Sequence, residues 1–234
     1  MSSSLRLDWC SHEAAKYAVE HFHYSRSMPV GKLVKVGVWE EGRFIGCVLF
    51  GQGNNQYQGN ALGLRNLEVC ELVRVALTTH QTSVTRIVAI ALRMLAKSQP
   101  GLRAVVSYAD PEQGHVGGIY QGGGWTYVGT GGSQEAFFLN GKRLHSRVVS
   151  ASGQKHQFGR MTASFRYDQV DRVKLAAKHK YIIGLDAEMR DSLARLAKPY
   201  PRASRLESEA SGVQPEDEGA AMRPTRSTNP VSDG

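Results

Sequence analysis

The chain has 234 residues, 41% of them hydrophobic, and a formal net charge of +8. That length holds one ordinary domain with extensions or two small ones, and the apolar share excludes wholesale disorder. A pI near 9.5 favours polyanionic partners, nucleic acid ahead of an anionic membrane surface.

Residues 11–24 read as a helix capped by Ser11, with Ala14, Ala15, Ala18, Val19 and Phe22 on one face. The polar loop HFHYSRSMPVGK follows. Leu33–Trp39 and Phe44–Phe50 are β-rich runs either side of Glu-Gly, which predicts a hairpin. GQGNNQYQGNALG is a Gly, Asn and Gln loop. Glu68–Leu77 alternates as a strand, and Val84–Lys97 is an amphipathic helix stopped by Pro100-Gly101. Leu102–Tyr108 is a short buried strand, followed by a loop with a small glycine-laden helix. Trp125–Val128 and Phe137–Leu139 add further strands. Helix, hairpin, strand, helix, strand, helix, strand predicts an α/β (α+β) domain, a mixed central sheet flanked by helices, over residues 1–139. Residues 140–204 would form a basic extension packed on this core. Residues 205–234, rich in Ser, Glu, Gly, Pro and Thr, read as a disordered tail.

Cys10, Cys47 and Cys70 are odd in number and form no CxxC pair, which argues against a disulfide framework or a structural zinc site. No apolar run has the length of a membrane span, and the N-terminal segment lacks a signal-peptide core. A cytoplasmic protein with no membrane partner is expected.

Four groups of residues could carry chemistry. Thr82 or Ser83 caps the helix at Val84, whose free N–H groups make a site for phosphate, with Arg86 in the first turn beside it. Glu71 and Arg74 lie on opposite faces of a regular strand unless a bulge intervenes. SYADPEQGHVGGIYQGGGW places Ser107 and Asp110 at a strand end, with His115, Tyr120 and Trp125 among glycines, a set suited to proton transfer or metal ligation. His21, His23 and Tyr24 lie at the end of the first helix, where His21 and His23 do not face each other as a helical chelate pair. In addition, the stretch 140–182 carries ten Lys and Arg against Asp168 and Asp171, a surplus equal to that of the whole chain. That asymmetry favours a phosphate-contacting surface.

Five ordered blocks, HFHYSR, GVWEEGRFIGCVLFG, EVCELVRVAL, SYADPEQGHVGGIYQGGGWTYVG and KHKYIIGLDAEMR…LAKPYPR, together resemble the phage Mom family over about residues 8–202. The resemblance implies modification of adenine in double-stranded phage DNA: the exocyclic amine gains a carbamoylmethyl group, which blocks host restriction enzymes. The family is similar to GNAT acyltransferases. It implies a donor cleft at Arg74, Gln81, Thr82, Ser83 and Arg86, and a catalytic set of Asp110, Tyr120, His115 and Ser107. Asp110 or His115 would act as base and Tyr120 as acid. Gln81–Arg86 carries none of the glycines usual in a GNAT loop, and Val84 stands where one is expected, which counts against ordinary acetyl-CoA binding. The donor is therefore left open between acyl-CoA (acetyl-CoA) and an aminoacyl-tRNA. A divalent metal such as iron would be held by His23, Tyr24 and Asp110.

DNA contacts are expected from Tyr24, Arg26, Lys32, Lys142, Arg143, Arg147, Lys174, Lys178 and Lys180, and a base flipped from the duplex would stack on Tyr24, Tyr57, Tyr108 or Trp125. Homodimerisation is left open. Two rival readings remain at the level of sequence: a GNAT acyltransferase acting on a protein or small molecule, and a non-catalytic DNA-binding protein.

Overall fold

The computed structural model describes residues 4–53, 58–132, 134–144, 148–149, 156–157, 160–161 and 169–202. Met1–Pro201 form one compact unit; of the second, Arg202–Gly234, only Arg202 is among the described residues. The expected tail at 205–234 lies outside them, as do Tyr57 and Arg147.

The first strand, β1 (Leu5–Trp9), was not apparent from the sequence. Helix α1 (His12–Phe22) starts where Ser11 Oγ accepts the Ala14 N–H at 3.1 Å, and it buries Ala15, Ala18 and Val19. Strands β2 (Leu33–Glu40) and β3 (Arg43–Gly51) form the expected hairpin. Its two-residue turn, Glu41-Gly42, has φ of 51° and 76°, the left-handed pair that a right-twisted hairpin requires. Strand β4 (Val69–Leu77) leads through α2 (Val84–Ser98) to β5 (Ala104–Ala109). The short α3 (Gly118–Gly122) precedes β6 (Thr126–Thr130). Then come β7 (Gln134–Leu139), β8 (Lys142–Leu144), β9 (His156–Gln157), β10 (Arg160–Met161), β11 (Asp171–Leu175), β12 (His179–Gly184) and α4 (Ala187–Ala194).

The main sheet has the order β1-β2-β3-β4-β5-β12-β6 and is antiparallel except for the parallel pair β4/β5. This is the expected α+β class, a central mixed sheet flanked by helices. One face is covered by α2, whose Ile87, Val88, Ala91, Leu92 and Leu95 pack on Val36, Val48, Phe50, Leu72 and Val105. The other is covered by α1, against Cys47, Leu49 and Ala76, and by α4, whose Met189 and Leu193 pack on Val69, Ala104 and Ile182.

The core does not end at residue 139. Strand β12, from the expected extension, is hydrogen-bonded on both edges, to β5 and to β6. Tyr181 and Ile182 of that strand are fully buried. A smaller sheet, β11-β7-β8, also unites residues on both sides of the expected boundary. Local pattern cannot show this insertion, because it depends on a pairing across 70 to 80 residues between Ala104–Ala109 and His179–Gly184.

Gly117 supports the loop before α3 at φ 85°, and a Cβ there would strike the Tyr181 ring. Gly117→Ala is expected to destabilise the fold by about 3 kcal/mol, from backbone strain together with displacement of a packed ring. Urea unfolding measures it, and a loss below about 1 kcal/mol would mean the loop relaxes freely.

Candidate active site

Strands β4 and β5 are paired only over Val69–Glu71 with Ala104–Val106. Beyond that point they diverge, and a side chain replaces the ladder: Ser107 Oγ donates to the Leu72 carbonyl at 2.9 Å. Parallel strands that splay at their carboxyl ends leave a crevice, the usual ligand position in such sheets.

A bulge in β4 decides what lines this region. Phe50 pairs with Leu72 and Leu49 with Arg74, so Val73 is the extra residue. The slip brings Glu71 and Arg74 onto the same face, resolving the two alternatives that strand parity left. Both line a cavity of about 260 Å³ with the Ser27–Leu33 loop and Gly51–Gly53. Arg74 Nη1 donates to the Val73 carbonyl at 2.7 Å, while its buried Nε has no hydrogen-bond partner among the described residues. Burial raises the Glu71 carboxyl above its ordinary range, opposed by the charges of Arg74 and Lys178. Burial also raises the Tyr108 hydroxyl, helped by Glu71.

The loop after α1 meets the loop after β5 at the same place. The Tyr24 ring lies 4.3 Å from His23 and 5.9 Å from His115, centroid to centroid. Burial, then the charges of Arg74 and His115, pushes the His23 imidazole down from 6.5 to about 4. His23 Nδ1 accepts the Ser25 N–H at 3.1 Å and sits 2.9 Å from the Ser25 hydroxyl. The neutral ring therefore carries its proton on Nε2.

This depression has a consequence for stability. The unfolded chain takes up a proton near the ordinary imidazole value while the folded chain resists until about pH 4, so stability rises with pH across that window. His23 thus contributes fully above the ordinary value, and its contribution is lost as pH falls toward 4. Melting temperature should drop on acidification through this range, and His23→Gln should flatten the dependence. An unchanged pH profile in the variant would show that the ring titrates freely.

Tyr120 is buried against Trp125 and Tyr181, each ring centroid at 5.1 Å. Its hydroxyl is 2.8 Å from Ser107 Oγ. Ser107 Oγ, with one proton, stands within hydrogen-bond distance of both the Leu72 carbonyl and the Tyr120 hydroxyl and donates to one of them at a time. Burial pushes the Tyr120 hydroxyl up to about 12, against the lowering effect of the Ser107 bond.

Asp110 is an unpromising base: its carboxylate pairs with Lys178 Nζ at 2.9 Å and accepts the Glu112 N–H at 3.1 Å. Of the expected metal set of His23, Tyr24 and Asp110, Asp110 pairs with Lys178 and His23 Nδ1 accepts from Ser25, contacts with which a metal would have to compete. Among the described residues no group of three His, Cys, Asp or Glu comes together. Trp125 is 1% exposed and cannot stack on a base, whereas Tyr24 is 56% exposed and can. His115 is exposed beside Tyr24.

At the start of α2, Ser83 is the cap, its Oγ accepting the Arg86 N–H at 3.4 Å; Arg86 and Gln81 are exposed. The N–H groups of Gln81 and Thr82 are not open to a donor phosphate. The Glu40 carboxylate accepts them at 2.7 and 2.8 Å, and the Thr82 hydroxyl at 2.6 Å. Gln81 and Thr82 thus offer no free backbone N–H to a diphosphate. Of the expected DNA contacts, Tyr24, Arg26, Lys32, Lys142, Arg143 and Lys174 are exposed. Lys178 is taken by Asp110, and burial in β12 lowers the Lys180 ammonium.

Comparison with known proteins gives the chain its relatives. It is 27% identical over 210 residues to "Methylcarbamoylase mom" of Escherichia phage Mu, spanning 86% of this chain and 85% of that protein. Among solved structures, the AHL synthase LasI superposes with a TM-score of 0.44 at 12% identity, covering 86% of this chain and 100% of that one. The structure titled "Structure of a Putative Acetyltransferase", from Acinetobacter baylyi ADP1, superposes with a TM-score of 0.43 at 10% identity, covering 87% and 98%. The Mom protein family matches residues 4–202, nearly the whole described chain, and the protein belongs to that family.

Proposed function

We propose that this chain is a DNA-modifying transferase that places a carbamoylmethyl group on the exocyclic amine of adenine in phage DNA, in the cytoplasm of an infected cell, and so protects that DNA from restriction. The observation that carries the reading is the similarity, along most of both chains, to a phage protein named a methylcarbamoylase. The splayed β4/β5 pair, the α2 crossover and the bulged β4 support a GNAT-like transferase core.

In this reading a flipped adenine stacks on the exposed Tyr24 ring. The adenine amine is a poor nucleophile, because its lone pair is delocalised into the ring, so it needs a positioned base. His115, beside Tyr24, takes that role in place of Asp110. Arg74 lines the cavity, and its guanidinium holds a donor carbonyl or carboxylate oxygen. Tyr120 keeps its proton at neutral pH and is the acid, steadied by Ser107. Neither a metal nor the diphosphate of an acyl-CoA takes part in these steps. An aminoacyl-tRNA is compatible with the same cleft: attack of the adenine amine on a glycyl ester breaks the ester bond and releases the tRNA hydroxyl, and the glycyl amide formed is an isomer of the carbamoylmethyl product, which it reaches only by a further rearrangement.

DNA isolated from cells making this chain should resist restriction enzymes whose sites contain adenine; complete cleavage at normal soluble expression would contradict the reading. The DNA surface can be tested separately. Lys142 and Arg143 on β8 and Lys174 on β11 flank β7 in the small sheet and are exposed. Replacing all three with Gln should flatten the salt dependence of DNA binding by roughly one to three log units, about 0.9 for each phosphate that is no longer neutralised. An unaltered slope would mean that these cations are only a solvated face.

A further inference from the structure

The start of α2 is where an anionic donor would be expected, yet the chain brings its own anion there. Glu40 ends β2, is 5% exposed, and lies 41 residues before Gln81. Its carboxylate accepts hydrogen bonds from the Gln81 N–H, the Thr82 N–H and the Thr82 hydroxyl, at 2.6 to 2.8 Å. Short bonds from several donors to one carboxylate mark a charge-assisted site. The loop is fixed from a second direction, because Arg43 Nη2 donates to the Thr79 carbonyl at 2.9 Å. The glycine-free sequence of Gln81–Arg86 fits the same conclusion, since close backbone approach to a diphosphate is what glycines in such a loop provide.

We propose that Glu40 is a built-in anion occupying the diphosphate position of the donor cleft, so that the donor of this chain is held without a diphosphate at the start of α2. A second anion beside the buried carboxylate meets like-charge repulsion and finds two of the loop's N–H groups already used. Glu40 is therefore a specificity-determining residue. It acts by exclusion rather than by contact with the reacting atoms. The inference rests on reading the β4/β5 splay as the donor cleft.

The test uses the full chain, inorganic pyrophosphate, CoA and pantetheine, with binding followed by calorimetry in the absence of DNA. The parent protein should show no saturable pyrophosphate binding and should bind CoA no more tightly than pantetheine. Glu40→Ala and Glu40→Gln should each gain pyrophosphate affinity by about tenfold or more, the worth of one hydrogen bond to a charged group. CoA binding about tenfold tighter than pantetheine in the parent would overturn the proposal, as would folded Glu40 variants with no gain. Should Glu40→Ala fail to fold, Glu40→Gln and the measurements on the parent still decide. No readout involves adenine, so a failure of the proposed DNA chemistry would leave this result standing and distinguishable.

Discussion

Arg74→Ala is expected to lower the rate of adenine modification by about 10²–10³-fold, the usual consequence of removing one preorganised donor from a charge-developing site. The bulge at Val73 turns Arg74 onto the face of Glu71, and its Nε is left buried and unsatisfied among the described residues. Arg74 also lines the cavity, where a guanidinium can hold a ligand oxygen. Arg74→Lys should recover little, because a point charge cannot reproduce the planar fork. The variants should fold, since Arg74 belongs to none of the apolar clusters. Single-turnover rates within a few-fold of the parent would remove Arg74 from the chemistry.

Tyr120→Phe is expected to lower the rate by about 10²–10⁴-fold, the usual contribution of a positioned general acid. Burial holds its hydroxyl at about 12, so the proton is present throughout the neutral range. The ring packing against Trp125 and Tyr181 survives the change to Phe, and only the bond to Ser107 is lost. The stability cost should then be about 1 kcal/mol, far smaller than the catalytic effect. Ser107→Ala should produce a smaller defect, because it removes the group that orients the hydroxyl and leaves the acid in place. Equal rates in Tyr120→Phe and the parent would mean that Tyr120 is a core residue alone.

The elements that sequence made legible are those with a strong local period. The apolar stripe of α2, the Ser11 cap of α1 and the Glu41-Gly42 hairpin each depend on residues within a few positions of one another. What stayed hidden depends on distant partners. The bulge at Val73 is set by the register of β3, and nothing in EVCELVRVAL separates a bulged strand from a regular one. The place of β12 inside the sheet required a pairing that no local pattern encodes, and β1 is a short edge strand with mixed burial.

The candidate site divides in the same way. The aromatic, histidine and glycine content of the Ser107–Trp125 segment marked it, and Tyr24, His115, Ser107 and Tyr120 are brought into the neighbourhood of β4. Asp110 looked free in sequence and is paired with Lys178, 68 residues away. Glu40 gave no signal at all, because EEG reads as an ordinary hairpin turn. Its importance lies in a contact with Gln81 and Thr82 that only the fold creates.

The central claim is that this chain alters adenine in DNA, and nucleoside mass spectrometry tests it most directly. DNA from cells expressing the parent chain, digested to nucleosides, should contain a deoxyadenosine derivative heavier by one carbamoylmethyl group replacing one amine hydrogen. The same DNA from cells expressing Arg74→Ala should lack it. Unmodified deoxyadenosine as the sole adenine nucleoside, with the parent chain soluble and abundant, would contradict the account.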